Sequence, residues 1–392
     1  MNALDIGRIA LGLVVLVGGG ELLVRGASAL AARWGLSRLV VGLTVVAVGT
    51  SAPEFAVTVG AVLRDETDLA VGNVVGSNIA NVLLILGLAA VVLPLAVKAQ
   101  LVRVEVPAMI VFSGVFLLCA LDGRVSTLDG LLLLGLWLAH TTVTVVLSRR
   151  DTAPSTARRD QVDTPDQRPP EPTQDGSSTG DSDSGAARPP KGTLSVLLIA
   201  AGIALLVAGA NLLVTGAVNT ATSLGVDGLV IGLTVVAVGT SLPELVTSMV
   251  AAIRGESDIA IGNVVGSCIA NIGLVLAVPV VFSGGGIPVA PAAIALDIPL
   301  MVATALVVLP IVFTGFTVQR WEGALFVALY VAYATYLVLN ATGHQALTGF
   351  TQTMVFFVLP LIVVTLITTL VHDLHRRATR HNAPAEPKGE AA

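Results

Sequence analysis

Long apolar segments alternate with short polar ones along almost the whole chain. Eleven of these segments have the length of roughly 20 residues with which an α-helix crosses a bilayer. They are too long, and too evenly apolar, for the alternating strands of a membrane β-barrel. The predicted spans are 6–26, 40–62, 69–93, 104–121, 128–147, 194–217, 229–253, 259–283, 291–313, 322–340 and 351–371. The pattern predicts an all-α integral membrane protein.

The second half of the chain repeats the first at a distance of 190 residues. Between Gly42–Asn81 and Gly232–Asn271, 26 of the 40 positions are identical. Each half holds five spans, and because five is odd, the second copy enters the membrane from the opposite side. We therefore predict two inverted-topology repeats of five transmembrane helices, an arrangement found in secondary transporters, plus one extra C-terminal transmembrane helix.

A polar stretch separates the halves and sets the predicted organisation. It is rich in Pro, Ser, Asp and Arg and has no apolar face to bury, which predicts a disordered linker. The predicted units are a first repeat at 1–148, this cytoplasmic linker at 149–193, an inverted second repeat at 194–341, and the extra helix with its tail at 342–392.

Basic residues predict how the chain sits in a cell membrane. With the N-terminus outside, most of them fall in cytoplasmic loops, the linker ends or the tail. These are Arg33, Arg38, Lys98, Arg103, Arg149, Arg150, Lys191, Arg254, Arg320 and the segment 375–380. Only Arg8, Arg64 and Arg124 fall outside. This positive-inside bias predicts a multi-pass protein with its N-terminus outside and its C-terminus in the cytoplasm.

Composition excludes several other classes of protein. Charged residues make up only 12% of the chain, against about a quarter in soluble domains. The net charge of −5 is dispersed without a basic stripe, so no nucleic-acid partner is predicted. Cys119 and Cys268 both lie inside spans, which argues against a disulfide framework. No nucleotide-binding loop or enzyme motif is present, so we expect neither catalysis nor a cofactor.

Two spans carry the same polar interruption. "GTSAPE" at 49–54 and "GTSLPE" at 239–244 each place a proline and a glutamate at membrane depth. Proline removes a backbone donor and breaks the helix, and irregular backbone survives there only against protein or a watery cavity. No Lys or Arg occurs in either motif before Arg64 and Arg254 at the helix ends. Two unpaired acids at this depth favour cation binding.

The residues around the first glutamate are oxygen donors. Thr50 and Glu54 are four apart and share a helix face, with Ser51 beside them, and we expect carbonyls freed near Ala47 and Gly49. Such donors suit Na⁺ and Ca²⁺ and offer no soft ligand for zinc or copper. The alternative for the hydroxyls is that they bond only their own helix backbone.

The following span supplies a second polar face. "GNVVGSNIAN" at 72–81 places Asn73, Ser77 and Asn81 at four-residue intervals. The second half repeats this stripe as Asn263, Ser267 and Asn271. The paired glycines of this segment favour close packing of helices. Such packing alone is the alternative explanation for the small residues in it.

In these two motif pairs the sequence resembles the Ca²⁺/cation antiporter superfamily, specifically its sodium/calcium exchanger type. The resemblance covers about residues 1–340. It implies paired α-repeats that meet at a central ion site, with Na⁺ and Ca²⁺ as transported ions and the lipid bilayer as surroundings. The implied ligands are Glu54 and Glu244 as acids, hydroxyl or carbonyl oxygens of Thr50, Ser51, Ser77, Thr240, Ser241 and Ser267, backbone carbonyls of Ala47 and Ala237, and Asn81 and Asn271.

Two features depart from the family pattern. Many members carry aspartate where this chain has Asn271, and the amide keeps an oxygen but loses a titratable charge. That argues against K⁺ co-transport and weakly against a proton-linked cycle. Span 351–371 lies beyond the ten-helix core. A H⁺/Ca²⁺ antiporter that uses the same glutamates and a passive cation channel remain alternatives to Na⁺/Ca²⁺ exchange.

Three further polar residues lie within or near spans. Glu105 and Asp297 occupy corresponding places near span entrances, where helix capping or a headgroup contact would explain them, with a role at an ion entrance as the alternative. His140 is expected to be a hydrogen-bonded core histidine rather than a proton relay.

Overall fold

The computed structural model describes residues 3–151, 192–225, 237–313 and 316–360, together with 363, 364 and 368. These residues are almost entirely helical. The helices are α1 (Ala3–Trp34), α2 (Arg38–Thr50), α3 (Ala52–Leu63), α4 (Thr67–Val92), α5 (Leu101–Ala120), α6 (Thr127–Asp151), α7 (Gly192–Ser223), α8 (Ala237–Thr240), α9 (Leu242–Ile253), α10 (Ser257–Phe282), α11 (Ala293–Ile311), α12 (Arg320–Ala341) and α13 (Ala346–Thr353). Helix thus extends into both ends of the predicted linker, whose remainder lies outside the described residues.

Several helices contain a wider, π-helical turn. Those within the helices are Gly42–Val46, Ala80–Leu86, Leu101–Glu105, Asn271–Leu276 and Ala293–Asp297, and a further one, Met354–Val358, directly follows α13. The turns of α4 and α10 correspond in the two halves, as do those that begin α5 and α11. A π-helical turn shifts the faces of a helix relative to regular four-residue spacing, and such turns are frequent at functional sites.

Eight described helices are long and apolar enough to cross a membrane, and α2 with α3, bent by 46° at their junction, forms a ninth such span. The eight are α1, α4, α5, α6, α7, α10, α11 and α12. Predicted span 229–253 is described only from Ala237 onward, as α8 and α9, and most of 351–371 lies outside the described residues. The chain is therefore an all-helical, multi-pass membrane protein.

Helices α4 and α10 form the centre of the protein. In their most apolar stretches 78% and 83% of the residues are buried, against 6% in α12. In helices α1, α6 and α7 only 28%, 17% and 28% of the corresponding residues are buried. Apolar residues on all sides of a helix suit a lipid environment. The polar stripes predicted on α4 and α10 thus belong to the two most buried helices.

Helices α1 and α7 are equivalent in the repeat and pack antiparallel. Gly12 lies against the backbone of Gly209, and Gly19 lies against that of Gly202, so the two helices run in opposite directions. The repeat distance is 190 residues, so Gly12 corresponds to Gly202 and Gly19 corresponds to Gly209. The contact of Gly12 with Gly209 is therefore equivalent to the contact of Gly202 with Gly19. Equivalent helices that run in opposite directions are what an inverted repeat requires.

Four short strands repeat this exchange symmetry. The strands are β1 (Leu95–Ala96), β2 (Arg124–Val125), β3 (Ile287–Pro288) and β4 (Thr317–Val318). Strand β1 pairs antiparallel with β4, and β2 with β3. Each pairing therefore ties a loop of one half to a loop of the other.

Ion pairs also join the halves, at the loop between α9 and α10. Arg38 pairs with Glu256 at 2.6 Å, Lys98 pairs with Asp258 at 2.6 Å, and Arg254 pairs with Glu21. All three basic partners belong to the set predicted to face the cytoplasm, so the structure gathers them on one face of the protein.

Candidate ion-binding site

The site is built on two broken helices. The break between α2 and α3 lies at Ser51, and that between α8 and α9 at Ser241, both with ψ near 9°. A proline in the first turn of α3 and of α9 lacks the N–H that would continue the helix. Glu54 and Glu244 lie in those same first turns, where the positive end of the helix dipole favours a carboxylate.

The two halves exchange hydrogen bonds at these breaks. The Ser51 hydroxyl donates to Glu244 Oε1 at 3.0 Å, and the Ser241 hydroxyl donates to Glu54 Oε1 at 3.1 Å. Both carboxylates are buried. Among the described residues neither has an ion-pair partner. The two acids therefore share one enclosed region made jointly by both repeats.

Two asparagines hold the broken helices in place. Asn73 donates from its amide to the Glu54 carbonyl at 3.1 Å and to the Thr58 hydroxyl at 2.9 Å. Asn263 does the same in the second half, to the Glu244 carbonyl at 3.3 Å and to Ser248 at 3.0 Å. These bonds satisfy backbone at membrane depth. Both asparagines belong to the polar faces predicted from the sequence. In the structure they bond the first turns of α3 and α9.

Asn263 also receives a hydrogen bond from the first half. The Thr50 hydroxyl donates to Asn263 Oδ1 at 3.0 Å, across the boundary between the repeats. The same hydroxyl lies 3.2 Å from the Ala47 carbonyl, which also accepts the Ser51 N–H at 3.0 Å. The expectation that this carbonyl is freed was wrong, because the proline removes a bond only from the carbonyl four residues before it.

Buried polar atoms without a partner concentrate at this site. In the described part of the chain nine buried side-chain polar atoms lack a protein hydrogen bond, and seven of them lie on α3, α4, α9 and α10. The seven are Glu54 Oε2, Glu244 Oε2, Asn81 Oδ1 and Nδ2, Asn271 Oδ1, Ser267 Oγ and Thr247 Oγ1. Six of the seven are oxygens. Burying such groups unpaired is costly, so the cluster is suited to a cation that several oxygens surround.

Asn78 is a residue of this site that sequence reasoning missed. Its Oδ1 accepts from the Asn271 amide nitrogen at 3.1 Å, and its own amide donates to the Cys268 carbonyl at 3.2 Å. The first of these bonds orients Asn271 and leaves its Oδ1 without a hydrogen bond from the described residues. The residue equivalent to Asn78 in the second half is Cys268, so comparison of the halves did not identify Asn78. A π-helical turn also begins at Ala80, and regular four-residue spacing does not hold there.

The remaining predicted ligands take the following positions. Ser77 is buried on α4, and Ser267 is its equivalent on α10. Ala237 and Thr240 begin and end the short helix α8, as Ala47 and Thr50 do in the last turn of α2. The described residues hold no group of three or more His, Cys, Asp and Glu side chains that could bind a metal. Neutral oxygens would therefore have to complete any ion site around the two carboxylates.

The headgroup explanation for Glu105 was wrong. Its side chain is fully buried, and its Oε2 lies 3.0 Å from His140 Nε2. The sequence placed this acid near a span entrance, but packing of α5 against α6 encloses it. His140 is hydrogen-bonded within the protein, as expected. Asp297 is only partly buried and interacts with Tyr333.

Comparison with known proteins gives the family. The model of the family described as "Sodium/calcium exchanger protein" matches residues 4–146 and 194–339, which include both broken helices and both polar stripes. The inner membrane protein YrbG of Escherichia coli is 35% identical over 303 residues, covering 76% of this chain and 86% of the relative. The sodium/calcium exchanger MaX1 of Methanosarcina acetivorans is 34% identical and covers 84% of this chain and 97% of the relative.

A solved structure agrees with the same family. The sodium-calcium exchanger NCX_Mj, soaked with zero Na⁺ and Ca²⁺, superposes with a TM-score of 0.67 at 31% identity. The match covers 84% of this chain and 98% of that one. These relatives are exchangers and membrane proteins, which fits the expectation that the chain is not an enzyme. The chain belongs to the sodium/calcium exchanger family of membrane cation antiporters.

Proposed function

We propose that this protein exchanges Na⁺ for Ca²⁺ across the cytoplasmic membrane, at one site shared by the two repeats. The observation that carries the proposal is the pair of buried carboxylates, Glu54 and Glu244, each hydrogen-bonded by a serine of the opposite half. Four further buried oxygens without a protein partner, those of Asn81, Thr247, Ser267 and Asn271, lie on α4, α9 and α10. The names of MaX1 and NCX_Mj support Na⁺ and Ca²⁺ as the ions.

The charges at the site suit one Ca²⁺. Two ionised carboxylates balance its two positive charges, whereas either one alone would leave net charge in a low-dielectric region. Ca²⁺ takes about six to eight oxygen ligands, which two carboxylates cannot supply alone. In the proposed site Thr50, Ser51, Ser77, Asn81, Thr240, Ser241, Ser267, Asn271 and the carbonyls of Ala47 and Ala237 provide the others.

Alternating access follows from the inverted repeat. Equivalent broken helices would open the shared site first to one side of the membrane and then to the other. We place the first repeat at 1–148, the linker at 149–193, the second repeat at 194–341 and an extra helix with the tail at 342–392. The cluster of Arg38, Lys98 and Arg254 on one face supports a cytoplasmic position for that face, with the N-terminus outside.

Transport by the purified protein in liposomes tests the proposal. Vesicles loaded with Na⁺ should take up labelled Ca²⁺ from outside, and vesicles loaded with K⁺ should not. Replacing internal Na⁺ with an impermeant organic cation at fixed pH should stop uptake, because no ion then leaves in exchange.

The same measurement separates the alternative functions. Uptake that continues without Na⁺ but follows an imposed proton gradient would identify a H⁺/Ca²⁺ antiporter that titrates the two glutamates. Uptake that ignores both gradients and follows only the Ca²⁺ gradient would identify a channel. Either result would overturn Na⁺/Ca²⁺ exchange.

A further inference from the structure

Thr247 on α9 carries a buried hydroxyl that is absent from the ligand set given above. The side chain has no exposed surface, and its Oγ1 has no hydrogen bond with the described residues. Thr58 and Ser113, two other buried hydroxyls, each donate to the carbonyl four residues earlier, at 2.8 Å and 2.9 Å. A membrane helix ordinarily satisfies its hydroxyls in this way. Thr247 does not make this bond, so its hydroxyl is available to a ligand.

Helical spacing places Thr247 beside a carboxylate of the proposed ion site. It follows Glu244 by three residues, and residues at this spacing are neighbours on one helix face. The next residue, Ser248, accepts from the Asn263 amide of α10 at 3.0 Å, so one flank of α9 contacts α10. Val246 lies against α1 on another flank. Thr247 lies next to Glu244, between these two flanks.

Helix α9 also packs against the π-helical turn of α4, Ala80–Leu86, which contains Asn81. The Oδ1 and Nδ2 atoms of Asn81 and the Oε2 atom of Glu244 are buried without a hydrogen bond from the described residues. With Thr247 Oγ1, three such oxygens occur on these two packed segments. Burying oxygens unpaired is costly, and a cation that binds them together removes that cost.

The equivalent segments of the other half hold fewer such oxygens. Helix α3 packs against the π-helical turn of α10, Asn271–Leu276. On these two segments the buried oxygens without a protein partner are Glu54 Oε2 and Asn271 Oδ1. Val57 stands where the second half has Thr247, and it offers only methyl groups. The two halves therefore differ by one hydroxyl beside the carboxylate.

A second difference between the halves acts in the same direction. Asn78 accepts from the Asn271 amide at 3.1 Å, whereas its counterpart Cys268 places a thiol beside Asn81. A thiol is only a weak hydrogen-bonding group, and both amide atoms of Asn81 lack a regular hydrogen bond among the described residues. Asn81 can therefore turn its oxygen towards an ion bound beside Thr247.

The charge of this group of oxygens suits one Na⁺. One carboxylate with neutral hydroxyl and amide oxygens carries a single negative charge, which balances a monovalent cation. Ca²⁺ held by Glu244 alone would leave a positive charge uncompensated in a low-dielectric region, so Ca²⁺ needs both carboxylates. A hydroxyl beside only one of the two acids therefore favours Na⁺ over Ca²⁺.

We propose that Thr247 is a specificity-determining residue of the exchange site. Its hydroxyl binds Na⁺ beside Glu244 and makes the second half the stronger Na⁺-binding half. The proposal rests on the proposed exchange function and adds to it a residue that comparison of the two motif copies does not identify, because the first copy has Val57 there.

Thermal unfolding of the full-length protein measures Na⁺ binding without transport. In buffer that contains only an organic cation, Thr247→Val should unfold at the same or a higher temperature than the unmodified protein, because the change removes a buried hydroxyl without a partner. Added Na⁺ should stabilise the unmodified protein at about five-fold lower concentration than the variant, as expected for one ligand bond. Thr247→Ser, which keeps the hydroxyl, should follow the unmodified protein.

Transport in liposomes then separates the effect on Na⁺ from the effect on Ca²⁺. Thr247→Val should raise the Na⁺ concentration for half-maximal Ca²⁺ uptake about five-fold and leave the Ca²⁺ concentration for half-maximal uptake nearly unchanged. Thr304→Val is the matched control, because its hydroxyl is buried on α11 and bonds the Leu300 carbonyl at 2.6 Å. Both concentrations should stay unchanged in that control.

Two results would overturn the role of Thr247. One is an equal dependence on Na⁺ in Thr247→Val and the unmodified protein. The other is a loss of stability in the variant that is the same with and without Na⁺, since this would show that the hydroxyl binds only water or protein. Absence of Na⁺-driven uptake in the unmodified protein would refute the exchange function instead.

Discussion

Ser51 and Glu244 lie 193 residues apart and are joined by a 3.0 Å hydrogen bond in the buried centre of the protein. The equivalent bond joins Ser241 to Glu54 at 3.1 Å. Each carboxylate is thus oriented by the repeat to which it does not belong. Neither half alone would form the proposed site, and both copies of the motif carry the same polar residues.

Replacing either buried acid by its amide should abolish Ca²⁺ transport. Glu54→Gln and Glu244→Gln keep the shape of the side chain but remove one of the two charges that balance Ca²⁺. We expect uptake in liposomes to fall at least about 100-fold, equivalent to some 2.7 kcal/mol. Glu66→Gln, in the exposed turn before α4, is the control and should transport normally. Robust exchange by either buried variant would remove that residue from the site.

The bonds across the repeats should appear as energetic coupling. Ser51→Ala removes the donor to Glu244, and residues in direct contact typically couple by about 0.5–3 kcal/mol in double-mutant cycles. We expect the combination of Ser51→Ala with Glu244→Gln to be non-additive in thermal unfolding measured without Ca²⁺. The cycle of Ser51→Ala with Glu66→Gln serves as the control. Additive effects in both cycles would show that the hydrogen bond contributes little.

Glycines on α1 should differ sharply in their tolerance of a methyl group. A Cβ at Gly19 would lie 2.8 Å from the backbone of Leu206 on α7, whereas one at Gly18 would meet nothing within 4 Å. Overpacking costs about 1–3 kcal/mol, so Gly19→Ala should lower the unfolding temperature and the yield of folded protein. Gly18→Ala should leave both unchanged. Equal behaviour of the two variants would contradict the packing of α1 on α7.

Local sequence patterns predicted the broken helices and the candidate ligands but not the contacts between the two halves. Proline, glutamate and their spacing identified both broken helices, because helix breaking and the cost of a buried charge are properties of short segments. The serine-to-carboxylate bonds depend on how helices from different halves pack, which no single motif encodes. Asn78 illustrates this limit, since it acts on Asn271 and its counterpart in the repeat is a cysteine.

The pair of Glu105 and His140 was missed for a related reason. Both residues were noticed in the sequence, but as separate features of two spans. A π-helical turn at Leu101–Glu105 and the packing of α5 on α6 bring them together. Periodicity predicted both spans correctly and gave no indication of this wider turn, so the direction of the Glu105 side chain could not be foreseen.

Both the linker and the tail should be reachable only from the cytoplasm. After Cys119 and Cys268 are replaced by serine, a cysteine at Ser177 or at Ala383 should react with a membrane-impermeant maleimide only in inside-out vesicles. The basic residues near the linker and in the tail predict that both lie in the cytoplasm, while the N-terminus lies outside. A chain with its two ends on opposite sides crosses the membrane an odd number of times. A cysteine in the turn at Asp65 is the control for the opposite face. Labelling of Ser177 and Ala383 from different sides would disprove the predicted eleventh span.

Exchange should move net charge across the membrane. In the proposed site two carboxylates balance one Ca²⁺, and the neutral oxygens of Asn81 and Asn271 can hold Na⁺ without titrating. The Thr and Ser ligands add enough oxygens for more than two Na⁺ ions, as the family resemblance also implies. With three Na⁺ leaving for each Ca²⁺ that enters, one positive charge moves outward. That charge is worth about 2.3 kcal/mol per 100 mV, so an inside-positive potential should accelerate uptake into Na⁺-loaded vesicles.

Valinomycin with fixed K⁺ gradients sets the potential for this measurement, and a matched control without K⁺ at zero potential tests whether K⁺ is needed. We expect uptake to rise with inside-positive voltage and to proceed in the K⁺-free control, because the amide of Asn271 carries no charge. Uptake that does not respond to voltage would mean electroneutral exchange of two Na⁺ for one Ca²⁺. Failure of uptake without K⁺ would show that the amide at Asn271 does not exclude K⁺ from the cycle.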